Sequence, residues 1–195
     1  MPINRSLLIA LLLLTSLVAA PLRAQVVESA RTSQLSLQAG GMASIFQPDF
    51  NSWPNTSQYP IAGSSGSPML GVGAFVDFSL NRWLGVEGEG RWQRFNKYKT
   101  VTETSYLIGP RLPVTRLGHF NIYAKALIGY AKMDFGIYGA TGRFTATAFG
   151  GGADIKLTRK IYFRAVDFEY QYWPIWGDSS LKPYGLSSGI AYRIF

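Results

Sequence analysis

Apolar and polar residues alternate with a period of two along most of the chain after residue 33. In the last stretch, Tyr184–Phe195, large apolar residues occupy most even positions, and small or charged residues occupy most odd ones. Successive side chains of a strand point to opposite faces, so this period predicts β-strands with one apolar face. Eight strands are predicted, each close to the roughly 9–11 residues of a tilted membrane-spanning strand: Ser33–Phe46, Met69–Leu80, Trp83–Phe95, Thr102–Pro113, Phe120–Ala131, Phe144–Leu157, Ile161–Tyr172 and Tyr184–Phe195.

Two of these strands contain an irregularity. In the seventh, Arg164 lies on one parity, whereas Asp167 and Glu169 lie on the other. A β-bulge at Ala165–Val166 would return all three charges to one face, and we expect one there. In the fourth, Pro110 removes a ladder donor, which predicts a local distortion or a different register.

The connections between strands alternate between long and short. The tight ones are Asn81-Arg82, Val114–His119 and Thr158–Lys160, and the longer ones include Gln47–Pro68, Lys132–Arg143 and Trp173–Pro183. Outer-membrane barrels have short periplasmic turns and longer extracellular loops, and the alternation matches that arrangement.

Alternation alone does not say which face of the sheet points inward. A soluble carrier barrel turns its apolar face to the interior, and a membrane barrel turns it to lipid. The polar parity carries six acids and six bases, a balance that indicates pairing inside a narrow lumen rather than a solvated face: Asp77, Glu87, Glu89, Arg91, Arg111, Lys125, Asp154, Lys156, Arg164, Asp167, Glu169 and Arg193.

Aromatic residues collect near the predicted strand ends, as they do in the interfacial girdles of membrane barrels. Ordinary core aromatics would not favour the ends. The sequence therefore favours a membrane barrel with these residues at its interfaces: Phe46, Trp83, Trp92, Phe95, Tyr98, Phe120, Tyr130, Tyr172, Trp173 and Tyr184.

Residues 1–24 have the pattern of a cleavable signal peptide. Arg5 precedes the apolar run Leu7–Ala20, and Leu22-Arg23-Ala24 offers a cleavage site before Gln25. The run is shorter than the roughly 20 residues of a membrane-spanning helix. We therefore expect a single exported domain, residues 25–195.

Composition narrows the partners of that domain. The chain has a formal net charge of +8 and no cysteine. It lacks Lys/Arg runs, so we expect an anionic lipopolysaccharide surface rather than nucleic acid as its partner. Without cysteine, neither a disulfide framework nor a thiolate metal site can form.

Three short stretches carry a family resemblance. Together with the export segment, Leu107–Arg111 (LIGPR), Arg164–Tyr170 (RAVDFEY) and Gly189–Arg193 (GIAYR) resemble the small outer-membrane β-barrel family, the OmpA/OmpX-like eight-stranded barrels, over nearly all of residues 33–195. The resemblance implies an all-β, eight-stranded antiparallel up-and-down transmembrane barrel in the bacterial outer membrane. It also implies insertion by the barrel assembly machinery, which reads an aromatic terminal strand, and we expect the barrel to be a monomer. Tyr192 and Ile194 have the family's terminal spacing, and Phe195 is one residue extra.

Little in the sequence indicates catalysis. An eight-stranded barrel is just wide enough for side chains to fill its interior, so a porin-sized channel does not follow. The lone histidine, His119, falls in a predicted periplasmic turn, which argues against a Ser–His nucleophile. The sequence has no cluster of His or Cys for a metal, and we expect no cofactor. The lumen charges could form a fixed network or a gate in which Glu87, Arg91, Arg111 and Arg164 exchange partners.

The sequence therefore predicts a non-enzymatic barrel with a structural or surface-adhesive role. Adhesion would use the long loops, whose aromatic residues offer contact area for a partner that the sequence does not identify: Trp53, Tyr59, Tyr138 and Trp176. Two alternatives stay open at this stage, a soluble periplasmic ligand carrier and a narrow pore of low conductance.

Overall fold

The computed structural model describes residues 35–49, 68–95, 101–135, 140–174 and 180–195. Within these ranges nine strands are present: β1 Ser36–Gln47, β2 Met69–Ser79, β3 Gly85–Phe95, β4 Val101–Leu117, β5 Phe120–Phe135, β6 Ala140–Lys156, β7 Ile161–Pro174, β8 Ser180–Leu181 and β9 Tyr184–Arg193. In the same ranges, no helix is long and apolar enough to cross a membrane. The predicted signal peptide, residues 1–24, lies outside the described residues.

The eight long strands form a closed antiparallel barrel. Neighbours follow the order β6-β5-β4-β3-β2-β1-β9-β7, and the pairing of β6 with β7 closes the ring. The short β8 pairs only with the end of β7, through Trp173 and Pro174. Closure leaves no unpaired edge among the eight strands, as a membrane-spanning sheet requires. The predicted fold class is therefore confirmed.

The seam between the first and last barrel strands is fully paired. β1 and β9 run in register from Gln38 opposite Arg193 to Gln47 opposite Tyr184. The ladder continues past β9, because the Ile194 amide donates to the Leu37 carbonyl at 2.8 Å. The Leu37 amide in turn donates to the Phe195 carbonyl at 3.4 Å.

The predicted bulge in the seventh strand is confirmed. Along β6–β7, Ala153 faces Val166 but Asp154 faces Arg164, which leaves Ala165 as the extra residue. The pairing of β7 with β9 shifts at the same place, between Arg164 and Asp167. The bulge resets the parity, so that Arg164 and Asp167 are both buried inside the barrel.

Pro110 interrupts its ladder without changing the register. The β4–β5 pairing passes from Ile108 opposite Ile128 to Arg111 opposite Lys125 with no shift, and Pro110 still faces Val86 on β3. A shift that the sequence did not reveal lies farther along β4, between Pro113 and Thr115. The strand continues beyond it to Leu117, four residues past the predicted end.

The apolar face of the sheet points outward. Val72, Ile108 and Ile128 are 62%, 59% and 55% exposed, whereas Glu87 and Arg91 are fully buried. This orientation, predicted for a membrane barrel, is the reverse of the one that a soluble carrier needs, so the carrier alternative is wrong.

Two members of the predicted aromatic girdles point the other way. Phe46 and Trp173 are fully buried inside the barrel. Phe46 shares the inward parity of Gln38 and Ser44, and the bulge in β7 places Trp173 on the same parity as Asp167. Six of the ten predicted girdle residues are exposed: Trp83, Trp92, Phe120, Tyr130, Tyr172 and Tyr184. The side chains of Phe95 and Tyr98 lie outside the described part of the chain.

Candidate functional site

The centre of the lumen is built around one lysine. The Lys125 ammonium group contacts four carboxylates, at 3.1 Å from Glu87, 2.9 Å from Glu89, 2.8 Å from Asp167 and 3.0 Å from Glu169. β5 supplies the lysine, β3 the first two acids and β7 the last two, so the interaction joins strands across the barrel. All five side chains are at most 1% exposed.

Arg91 neutralises three of the same acids from the extracellular side of Lys125. Its guanidinium donates to Glu169 at 2.6 Å, and to Glu89 and Asp167 at 3.2 Å each. Gly73 on β2 faces Arg91 on β3. A Cβ atom added to Gly73 would lie 3.2 Å from the Arg91 Cγ and 2.7 Å from the Met42 Cε. A glycine at this position therefore leaves the space that the arginine occupies.

A second group of charges lies toward the tight turns. Arg164 donates to Asp77 at 2.9 Å and to Glu87 at 3.2 Å. Arg111 pairs with Asp77 at 3.0 Å and with Glu87 at 3.2 Å, and both arginines also pair with Asp154. Because Glu87 contacts Lys125 as well, the two groups form one continuous network.

Aromatic rings fill the space that the second group leaves. The Arg164 guanidinium lies 3.7 Å from the centre of the Phe75 ring, and that of Arg111 lies 3.7 Å from the centre of the Tyr123 ring. The Tyr123 hydroxyl donates to Asp167 at 3.1 Å. Cation–π stacking and charge-assisted hydrogen bonds together hold these guanidinium groups in one orientation.

Three of the acids lie close enough together to be candidate metal ligands. Carboxylate oxygens of Glu87, Glu89 and Asp167 lie within 4.8 Å of one another. The Lys125 ammonium group contacts all three at 2.8–3.1 Å. A positive charge from the chain itself therefore already balances this cluster.

The structure brings together ten of the residues predicted for the lumen network, and two others stand apart from it. Arg193 is half-buried, forms no ion pair with any described residue, and stacks on Tyr162 at 5.7 Å. Lys156, predicted on the same face, is exposed. Both lie at the end of the barrel where the tight turns are, because β9 and β6 end there and the inward parity opens to solvent.

The predicted balance of charges is therefore wrong for the described lumen. Seven acids face four bases there. The four bases include Arg111, whose side chain is 12% exposed. The acids are Asp77, Glu87, Glu89, Glu103, Asp154, Asp167 and Glu169, and the bases are Arg91, Arg111, Lys125 and Arg164.

Glu103 is the lumen acid that the prediction missed. It is 1% exposed, and neither carboxylate oxygen has a hydrogen-bond partner among the described residues. It faces Gln93 on β3, whose amide also lacks a partner. Its parity, shared with Ser105 and Arg111, was the available signal.

Apolar side chains close the extracellular end of the lumen. The Trp173 indole donates to Gln171 at 2.6 Å, and Gln171 donates to Glu169 at 2.6 Å, which connects this end to the charge network. Trp173 stacks on Phe144 with 5.3 Å between the ring centres. The remaining buried side chains of this apolar cap include Met69, Val101, Met133 and Leu181.

The opposite end of the lumen is open. A cavity of about 1050 Å³ lies among the tight turns and is lined by residues that include Gln38, Arg111, Tyr123 and Asp154. We refer to it as the mouth cavity. By the rule that short turns face the periplasm, this end is periplasmic.

The other predicted functional positions fall outside this arrangement. His119 is exposed in the turn between β4 and β5, after Gly118 at φ 61°, and its carbonyl accepts a hydrogen bond from the Lys156 amide at 3.0 Å. The predicted loop contacts lie outside the described residues: Trp53, Tyr59, Tyr138 and Trp176.

Comparisons with known proteins agree with this fold. The family model for the outer membrane protein beta-barrel domain matches residues 9–193. Neisserial surface protein A (NspA) is 13% identical with a TM-score of 0.54, and the match covers 81% of this chain and 96% of that one. OprG from Pseudomonas aeruginosa is 12% identical with a TM-score of 0.52, over 82% of this chain and 96% of that one. A comparison with curated protein sequences finds no match. At these identities the structural similarities establish the fold alone.

Proposed function

The chain belongs to the outer membrane protein β-barrel domain family, and we propose that it is a non-enzymatic bacterial outer-membrane barrel whose interior is a plug rather than a pore. The observation that carries the proposal is the central ion-pair network. Lys125, Arg91 and Arg164 cross the lumen with side chains at most 1% exposed. Such a barrel acts as a rigid membrane element that presents loops at the cell surface.

The contacts favour a fixed network over a gate. Each of these cations holds at least three acids at once, so a switch to one new partner would leave other buried charges uncompensated. Breaking a buried pair by removing one partner typically costs about 3–5 kcal/mol. Even if one ion pair of the network opened, the apolar cap would obstruct ions on the extracellular side of the network.

Planar-bilayer recording tests the plug. The purified barrel should insert without producing stable conductance steps, and insertion is checked by its shifted gel mobility before and after boiling. A Trp173→Ala, Met133→Ala variant, which removes two side chains of the apolar cap, should still leave the charge network in place and conduct little. Stable single-channel steps from the unaltered protein would establish the low-conductance pore instead.

The surface role is assigned to the long loops. The predicted loops Gln47–Pro68 and Trp173–Pro183 fall at the strand ends opposite the tight turns, which form the extracellular end of such a barrel. The predicted loop Lys132–Arg143 is too long, because β5 continues to Phe135 and β6 begins at Ala140, which leaves only residues 136–139 between them. Replacing Gln47–Pro68 with a short turn should abolish surface adhesion of the cells. A loop of equal length with Trp53 and Tyr59 changed to Ser separates the effect of loop length from that of aromatic contact. Undiminished adhesion after the replacement would remove this role.

Export, insertion and partners complete the proposal. Residues 1–24 are removed on export, so the protein isolated from outer membranes should begin at Gln25. The barrel assembly machinery inserts it through its terminal strand, and it then stands as a monomer among lipid and lipopolysaccharide, attracted to the anionic headgroups by its positive charge. N-terminal sequencing checks the cleavage, and the mass of the detergent complex checks the monomeric state. A retained Leu7–Ala20 segment would contradict cleavage.

A further inference from the structure

The mouth cavity differs from the rest of the lumen in the sign of its charge. Arg116, Lys156 and Arg193 all line it. None of these cations forms an ion pair with any residue in the described ranges. Asp154 also lines the cavity, but its two oxygens are bound by Arg111 and Arg164. The wall therefore presents positive charge that the described part of the chain does not neutralise.

The same side chains have polar groups without partners. The Arg116 Nε donates to Asn121 at 2.8 Å, which leaves its terminal guanidinium nitrogens for a ligand. The Arg193 Nε is buried and has no hydrogen-bond partner. Gln38, which faces Arg193 on the neighbouring strand, is 8% exposed, and its side-chain carbonyl oxygen also lacks a partner. Buried polar groups are normally paired, so the Arg193 Nε and the Gln38 carbonyl oxygen indicate a polar ligand.

We propose that the mouth cavity binds a phosphate ester, held by Arg116, Lys156 and Arg193. Guanidinium groups match the geometry of phosphate oxygens, and a lysine adds a compact charge. The unpartnered side-chain carbonyl oxygen of Gln38, which also lines the cavity, would accept a hydrogen bond from a hydroxyl of the alcohol that carries the phosphate. The volume, about 1050 Å³, is large enough for such a molecule.

The interior beyond the cavity limits how far an anion can enter. Past Arg111 the lumen holds an excess of acids and is crossed by Arg164 and Lys125, whose charges are already paired. A phosphate would therefore stop at the mouth and would not be conducted. The same chemistry could come from a lipid headgroup of the inner leaflet or from a soluble phosphate compound of the periplasm.

Calorimetric titration of the protein purified from outer membranes in a neutral maltoside detergent tests the proposal. The probes are glycerol 3-phosphate, short-chain dihexanoylphosphatidylglycerol, glycerol and acetate. In the titration, both phosphate probes should bind saturably at one site, and glycerol and acetate should not bind. In a phosphorus NMR spectrum, the resonance of each bound phosphate probe should broaden. Much tighter binding of the lipid identifies a headgroup as the source, and similar affinities identify a soluble compound.

Two variants and a control assign the binding to the cavity. R116Q/K156Q/R193Q should weaken phosphate binding by about tenfold or more, since charge-assisted hydrogen bonds are lost. R116Q/K156Q changes only exposed side chains, and we expect an intermediate loss from it even if the triple variant folds poorly. R94Q/K132Q/R143Q removes the same charge at the extracellular end and should change the affinity less than about twofold. Absence of saturable binding, equal binding of acetate, or an equal loss in the control would overturn the proposal.

Discussion

The two ends of the lumen are built by the same eight strands but differ in how they are filled. At the extracellular end, the inward positions carry Trp173, Met69 and Met133, which are buried and close the barrel. At the periplasmic end, the inward positions carry cations around an open cavity. A barrel's strand pattern therefore determines its wall, whereas the identity of a few inward side chains determines whether each end is closed. Between the two ends, the ion-pair network forms the rigid part of the interior.

Of the substitutions considered, removing the Lys125 ammonium group at the centre of the lumen should lower the free energy of unfolding most. Lys125→Ala leaves four buried carboxylates without their shared ammonium group. We expect the free energy of unfolding in lipid vesicles to fall by about 3–5 kcal/mol, measured by urea titration. Lys132→Ala, on the same strand, is the matched control, because its ion pair with Asp134 is about 39% exposed and should contribute less than about 1 kcal/mol. Equal losses from both variants would show that the network does not stabilise the barrel.

The extracellular end should show a smaller effect from a single hydrogen bond. Trp173→Phe keeps an aromatic ring beside Phe144 but removes the donor that Gln171 accepts from. Leaving that buried acceptor unpaired should cost about 1–3 kcal/mol. Trp92→Phe removes a similar bond, from the indole to the Tyr106 hydroxyl at 3.1 Å, on the exposed face, and should cost less. The reverse ranking in the same urea titration would refute the closed cap.

Substitutions at the periplasmic end should change the free energy of unfolding least. Arg116 and Lys156 are exposed and form no ion pair with the described residues, so replacing both with Gln should change the free energy of unfolding by less than about 0.5 kcal/mol. The same variant is expected to weaken phosphate binding. A large loss of stability would mean that these cations hold the barrel together, and the contrast between the two ends would fail.

Much of the wall was predictable from local pattern, and the contents of the lumen were only partly so. Alternation located all eight long strands, and the parity of Arg164 against Asp167 located the bulge, because a period of two records every inserted residue. The pattern did not give the strand ends: β5 continues to Phe135, four residues past its predicted end, and β6 begins at Ala140, because the stretch between them is rich in glycine and aromatic residues and resembles a loop.

The partners of inward charged side chains were harder to predict, because they depend on how strands distant in sequence are staggered in the barrel. Glu103 shares the parity of Arg111, but its isolation near the apolar cap depends on how β3, β4 and β5 are staggered. Arg193 lies on the inward parity but ends at the open mouth, because β9 reaches the periplasmic end there. Neither the height of a residue in the barrel nor the partner across the lumen can be read from the periodicity of one strand.

The direction in which the sheet faces is the central claim, and two neighbouring residues test it directly. Leu127 is 3% exposed inside the barrel, and Ile128 is 55% exposed on its outer surface. In a methyl-labelled sample in lipid nanodiscs, the Ile128 methyl group should show nuclear Overhauser contacts to acyl-chain protons, and the Leu127 methyl groups should show none. Acyl-chain contacts at Leu127 together with their absence at Ile128 would contradict the account.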